Sequence, residues 1–204
     1  MAYPIFIILL VSYLLGNING SVCISTLLEG EDVRTHGSGN AGLTNFIRSY
    51  GAKHALMVIA VDALKAVAAC LIGGFLLKPY EMGLEGTALG GFAVMLGHVF
   101  PAFLKFHGGK GILSGFFVAL MLDWRIAVLI LAVFAVAYFT TGYVSLGSVL
   151  ASAGFGIGFA LFHFDNLIVL LCGVIMSLLA IFMHRQNIVR LLKGEERKTD
   201  LFKK

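Results

Sequence analysis

The residues able to do chemistry in this chain fall into three short stretches: GSGNAGLTNFIR from Gly37 to Arg48, GHVFPAFLKFHGGKG from Gly97 to Gly111, and HRQNIVRLLKGEE from His184 to Glu196. In the first, Gly37, Gly39 and Gly42 allow the backbone to turn its N–H groups toward an anion. Ser38, Asn40, Thr44 and Asn45 add neutral hydrogen-bonding groups, and Arg48 offers a forked guanidinium matched to phosphate. Gly37–Gly42 also fits the G-x-G-x-x-G dinucleotide fingerprint, with Asp62 about 20 residues on. No strand precedes it and an apolar run follows, so only the anion-binding chemistry survives. A plain polar loop with a helix cap at Thr44 or Asn45 is the alternative.

The second stretch ends in Gly108, Gly109, Lys110 and Gly111, a turn that opens an apolar run. It is not a phosphate-binding P-loop, because Gly111 stands where Ser or Thr would follow the lysine. A helix N-terminus there would still carry free N–H groups and partial positive charge. A lysine at membrane depth costs about 2.5–3.5 kcal/mol, so Lys110 requires an anionic partner or a route to water. In the third stretch His184 and Asn187 are i, i+3 neighbours on one helical face, with Arg190 nearby. Read alone, this is equally the basic end of a cytoplasmic helix. Glu195 could pair with Arg190 or Lys193, and His98 could shape the site or satisfy a carbonyl. Asp62 and Lys65, also i, i+3, would form a nearly neutral pair that braces the site. Lys110, His184 and Ser38 are the candidate catalytic residues. Arg48, Lys105, Lys110 and Arg190 are the cations available to phosphate.

The elements that must position these groups are membrane helices. The 204 residues are 59% hydrophobic and 13% charged, with a mean hydropathy of +0.93, whereas a soluble domain carries about 25% charged residues. A net charge of +4 is spread too thinly for nucleic acid and suits an anionic membrane leaflet. Cys23, Cys70 and Cys172 lie in apolar runs without paired spacing or nearby His, which argues against a disulfide or a metal site, and no cluster calls for a cofactor. The N-terminal run reads as a retained helix. The expected architecture is all-α, one domain over residues 1–204. It has seven spans near residues 3–23, 54–77, 86–104, 109–122, 126–143, 144–164 and 166–183. The fourth is short: eleven residues from Ile112 to Leu122 rise only roughly 16 Å against a core of about 30 Å. The GGKG turn must therefore approach the bilayer, which is tolerated where it lines a polar cavity.

Twelve of the fifteen Lys and Arg fall on one side: Arg34, Arg48, Lys53, Lys105, Lys110, Arg185, Arg190, Lys193, Arg197, Lys198, Lys203 and Lys204. That side is expected to be cytoplasmic, leaving the N-terminus outside, the C-terminus inside and all three stretches at one face. The tail after Gly194 is expected to fray or lie at the interface.

Taken together, Tyr13–Gly16, GSGNAGLTN, GHVFPAFLKFHGGKG, VSLGS and HRQNIVRLLKGEE resemble, nearly end to end, the bacterial acyl-phosphate-dependent glycerol-3-phosphate acyltransferases. The resemblance implies transfer of an acyl group from acyl phosphate to the 1-hydroxyl of glycerol 3-phosphate, giving lysophosphatidate at the start of phospholipid synthesis. It implies a bacterial inner-membrane enzyme, monomeric, with its site toward the cytoplasm and transient contact with the soluble enzyme that makes acyl phosphate. By position, Ser38, Asn40, Thr44, Asn45 and Arg48 would bind phosphate and substrate, with Gly37 and Gly39 in the same loop. Gly108, Gly109, Lys110 and Gly111 match the glycine-lysine turn. His184, Asn187 and Arg190 match the active-site face, and Glu195 the structural carboxylate. Ala41, Leu43, Ala66, His107, Ile112–Ser114 and Gly142 depart from the family's usual residues, which bears on chain preference and turnover more than on reaction class. The general base is either His184 or the acyl phosphate's own oxygens. A transporter or flippase for a phosphorylated solute is the rival reading, although no repeat is visible and the polar groups avoid the midplane.

Overall fold

The computed structural model describes residues 1–199; Lys203 and Lys204, counted above to the basic side, lie outside the described residues. Those residues form helices and loops only: α1 (Ala2–Gly16), α2 (Gly20–Ile24), α3 (Leu43–Tyr50), α4 (Ala55–Leu77), α5 (Gly83–Val99), α6 (Ile112–Leu122), α7 (Trp124–Thr141), α8 (Val144–Phe162), α9 (Leu167–Met183) and α10 (Arg185–Leu192), with short 3-10 and π turns between them.

The first expected span, 3–23, holds two helices, α1 and α2, with a break at residues 17–19; each of the other six coincides with one α-helix, but not all are equally fit to cross a bilayer. Five stretches are long and apolar enough: Ala2–Glu29, Ala55–Tyr80, Gly83–Leu104, Trp124–Thr141 and Val144–Phe162. A sixth requires α9 and α10 to be taken as one span bent by 55°. The expected start of the fourth span at residue 109 is corrected. Gly111 caps α6 with φ 82, so residues 109–111 belong to the loop and the helix keeps only 11 residues.

The pieces pack around α5, which touches α1, α4, α6 and α9, while α7 and α8 pair beside α9. Small residues set the close crossings. A Cβ added at Gly73 would sit 1.9 Å from the Gly86 carbonyl oxygen, and one at Gly97 2.1 Å from that of Tyr13, so α5 meets α4 and α1 through glycine. The main core joins Val94, Met95, Val118, Ile126, Phe159 and Met176. Large apolar side chains such as Leu64, Phe75, Val136, Phe139, Leu167 and Leu178 point outward, as they must where the surrounding solvent is lipid tails. All three polar stretches meet at the end of the bundle where α5 and α9 finish and α3 and α6 begin.

Candidate active site

The glycine-lysine turn is built on the end of α5. Pro101 biases Phe100 out of the helical region, and its backbone sits at φ −122, ψ 64. The chain then loops back so that the N–H of Gly108 donates to Val99 O at 3.3 Å and that of Gly109 to His98 O at 3.1 Å. These bonds satisfy carbonyls that a helix end leaves free. The approach is too close for a side chain: an added Cβ would lie 2.1 Å from His98 O at Gly108 and 2.2 Å from His98 Nε2 at Gly109. The expectation that these two N–H groups bind phosphate is therefore corrected, since both are committed to α5. Arg34, paired with Asp32 at 2.6 Å, clamps the loop by donating to Leu104 O at 3.0 Å and His107 O at 3.2 Å.

Lys110 leaves this turn toward α10. Its Nζ donates to Asn187 Oδ1. Asn187 in turn donates from Nδ2 to Glu196 Oε1 at 2.8 Å, and Arg190 Nε donates to Glu196 Oε2 at 2.7 Å. Burial, against the opposing pull of Glu196 and with smaller help from the like charges of Arg190 and Arg48, brings the Lys110 pKa down to about 8. Burial works against the Glu196 carboxylate, but hydrogen bonds from Asn187 and Arg190 outweigh it and hold its pKa below the usual value. Glu195, expected as the paired carboxylate, is exposed. Gly194, at φ 70, turns the chain back, Glu195 N closes onto Arg190 O at 2.8 Å, and only the next residue faces the helix. The tail does not fray over the described residues: Arg48 Nη2 donates to Thr199 Oγ1 at 2.5 Å.

His184 caps α9 and is 3% exposed. Its Nδ1 lies 2.8 Å from Ala180 O. A carbonyl only accepts, so Nδ1 carries the proton and Nε2 of the neutral ring is left as an acceptor. Burial, then Lys110, lowers its pKa to about 4.

The first stretch wraps around Asn45. That side chain, 2% exposed, accepts from Ser38 N at 2.8 Å and donates to Val33 O and His36 O at 3.0 Å each. Its bonding capacity goes into the loop, which corrects its reading as a phosphate ligand. Gly37, at φ 59 against Asn45 Oδ1, and Gly39, whose N–H donates to His36 O at 3.0 Å, are parts of the same loop. Ser38 is exposed, Asn40 and Thr44 are half-buried, and Thr44 shares a face of α3 with Arg48 at i, i+4. The loop touches the second stretch through Ala41, whose carbonyl would lie 3.1 Å from a Cβ on Gly109 and accepts from Asn19 Nδ2 at 2.9 Å.

Beneath the turn lie Asp62, Lys65 and His98, all at most 4% exposed. Lys65 Nζ contacts Asp62 Oδ1 at 2.7 Å, Ile18 O at 2.6 Å, Gly16 O at 3.4 Å and His98 Nδ1 at 2.8 Å, while Asp62 Oδ1 also accepts from Gly20 N at 3.1 Å. An ammonium can only donate, so His98 Nδ1 accepts and its Nε2 carries the proton toward Gly109.

Reading the residues alone missed Asn19, Arg34, Glu196 and Thr199. Asn19 had a signal, an amide inside an apolar run, and Glu196 differed from the chosen carboxylate by one residue; Thr199 had none.

Residues 6–194 match the family model described as glycerol-3-phosphate acyltransferase. A protein of that name from Thermoanaerobacter sp. (strain X514) is 41% identical over 189 residues, 93% of this chain and 92% of that one. Another from Clostridioides difficile (strain 630) is 39% identical, covering 96% of each. A crystal structure of PlsY (YgiH), an integral membrane glycerol 3-phosphate acyltransferase, in its glycerol 3-phosphate form, superposes with a TM-score of 0.87 at 31% identity over 98% of this chain and 99% of that one.

Proposed function

The chain belongs to the glycerol-3-phosphate acyltransferase family, acylating glycerol 3-phosphate in a membrane, and we propose that its donor is an acyl phosphate and that Arg48, Lys110 and Arg190 gather the two phosphates. The observation that carries this reading is the charge balance of the site. Among the described residues, Arg48, Lys110 and Arg190, with Arg197 near them, share one carboxylate, Glu196, and this surplus of positive charge suits an anion. Both substrates bring a phosphate of roughly −1.5 to −2 charge at neutral pH, by analogy with phosphoserine. The first N–H groups of α6, beside Lys110, add donors that the helix leaves unused. A small apolar cavity of about 30 Å3 starts at Gly111 and runs among Met95, Ile112, Phe116, Phe155 and Met176, which suits the first methylenes of an acyl chain entering sideways from lipid.

In the proposed step the 1-hydroxyl oxygen attacks the acyl carbonyl carbon, the bond from that carbon to the phosphate oxygen breaks, and phosphate leaves with the electron pair. The hydroxyl proton passes to a phosphate oxygen. An imidazole near 4 is a poor match for a base at neutral pH, which favours the substrate over His184; Nε2 of His184 then accepts a hydrogen bond and orients the glycerol. Ser38, Asn40, Thr44 and Asn187 line the polar rim. Seven spans, an outside N-terminus, a cytoplasmic site in the bacterial inner membrane, a monomeric enzyme and transient contact with the soluble source of acyl phosphate complete the proposal, supported by the one-sided distribution of Lys and Arg.

The test is to give purified protein in lipid nanodiscs glycerol 3-phosphate with each donor in turn. Acyl phosphate should yield lysophosphatidate and free phosphate in equal amounts, and acyl-CoA should yield neither. Equal rates with acyl-CoA, or an acylated protein trapped by rapid quenching, would overturn the reading.

A further inference from the structure

Arg48 poses a problem that the phosphate reading leaves open. It extends from α3 into a space shared with Lys110, Arg190, Arg197 and the single carboxylate of Glu196; burial first, and then Arg197 and Arg190, lower its pKa, with Glu196 opposing them. A long, flexible cation in such company gains by swinging out to water. It is held instead by Thr199, whose Oγ1 accepts from Arg48 Nη2 at 2.5 Å. Thr199 is only 8% exposed. Three further contacts fix the segment. Thr199 N donates to Gly142 O at 3.4 Å, Tyr138 OH donates to Thr199 O at 3.2 Å, and the Lys198 stem lies on Gly142, where an added Cβ would be 3.3 Å from its Cδ. With Glu196 inside the cation cluster, the chain from 196 to 199 crosses from α10 to the α7–α8 corner as a strap. The family model ends at residue 194, just before the strap begins.

We infer that this C-terminal strap is a wall of the substrate site and that Thr199 is the residue that positions Arg48 for phosphate. The inference rests on the reading of Arg48 as a phosphate-binding cation. A neutral hydroxyl can hold Arg48 in place without neutralising it, whereas a carboxylate would hold the guanidinium more firmly but would cancel the charge that the substrate needs. Among the described residues, Thr199 takes one of the five guanidinium N–H groups, which leaves four for a bidentate grip on phosphate oxygens.

The test uses full-length protein in nanodiscs carrying Thr199→Val, Thr199→Ser or Arg48→Ala, with both substrates varied. Thr199→Val keeps the shape of the side chain and removes the acceptor. It should raise KM for glycerol 3-phosphate about five- to tenfold, the worth of one ordinary net hydrogen bond, with kcat within about twofold, because binding is lost rather than chemistry. Thr199→Ser should restore KM. If Thr199→Val leaves KM unchanged while Arg48→Ala raises it, the positioning role is overturned and the reading of Arg48 stands. If Arg48→Ala itself leaves KM unchanged, the phosphate reading of Arg48 is overturned. A Thr199→Val protein that melts earlier but keeps its KM would make the strap purely structural and would also overturn the inference.

Discussion

Two clusters of charge lie on either side of the Gly108–Gly111 turn, and they obey opposite rules. Below it, Asp62 and Lys65 balance one another, and four acceptors surround the single ammonium. Above it, Arg48, Lys110 and Arg190 face one carboxylate, and Lys110 bonds a neutral amide. A charge in a membrane is tolerated when it is paired and hydrogen-bonded. The lower cluster meets that condition within the protein. The upper one, on the proposed reading, meets it when an anionic substrate binds. The turn between them transmits the contrast, because His98 carries Lys65 on one ring nitrogen and faces Gly109 with the other. A closed cluster suits a brace, and an open one suits the binding role proposed for it.

The contrast predicts different failures. Lys110→Ala should lower kcat/KM for glycerol 3-phosphate about a thousandfold, on the scale of losing a preorganised charge-stabilising donor, while leaving the melting temperature in place. An activity within tenfold of wild type would mean that the upper cluster is not the reacting site. In the lower cluster, Lys65→Met should strand the Asp62 carboxylate and lower the apparent melting temperature by about 10 °C, given the cost of breaking a buried pair. The double variant Asp62→Leu/Lys65→Met should recover more than half of that loss. If the double is worse than the single, the pair is not a self-contained brace and the comparison fails.

The helices were legible because apolar run length is a direct property of sequence, and so was the meeting of the three stretches, because Lys and Arg counts place each loop. What was not legible were the consequences of close approach. The N–H groups of Gly108 and Gly109 looked free for phosphate until α5 supplied His98 O and Val99 O as partners. Asn45 looked like a ligand until Val33, His36 and Ser38 absorbed its bonds. Glu196 rather than Glu195 faces Arg190 because Gly194 reverses the chain by an amount that depends on backbone angles, not residue type. Each of these depends on partners far apart in sequence or on a single turn's geometry, which neither composition nor periodicity records. Lys110 and Arg48 stood out as candidates because a cation with no anionic neighbour in sequence is anomalous at a membrane boundary.

The smallest expected effect separates the two lysines most finely. Burial brings Lys110 from 10.5 to about 8, so in the free enzyme its charge is complete well below pH 8 and is lost as pH rises through that value. If the ammonium is what binds phosphate, kcat/KM for glycerol 3-phosphate, which reports the free enzyme, should be level at neutral pH and fall above about pH 8. The limb in kcat should lie higher, because bound phosphate favours the charged lysine. Lys110→Arg should keep a fraction of the activity and lose the limb, since a guanidinium stays charged throughout. Stability should move the other way. Between about 8 and 10.5 the unfolded chain holds a proton at this site that the folded chain has released, so the Lys110 contribution favours folding more as pH rises through that window. Loss of activity accompanied by equal loss of folded protein would assign the limb to unfolding. A limb unchanged in Lys110→Arg would assign it to another group. Either result would remove the claim that the open cluster works through the charge of Lys110.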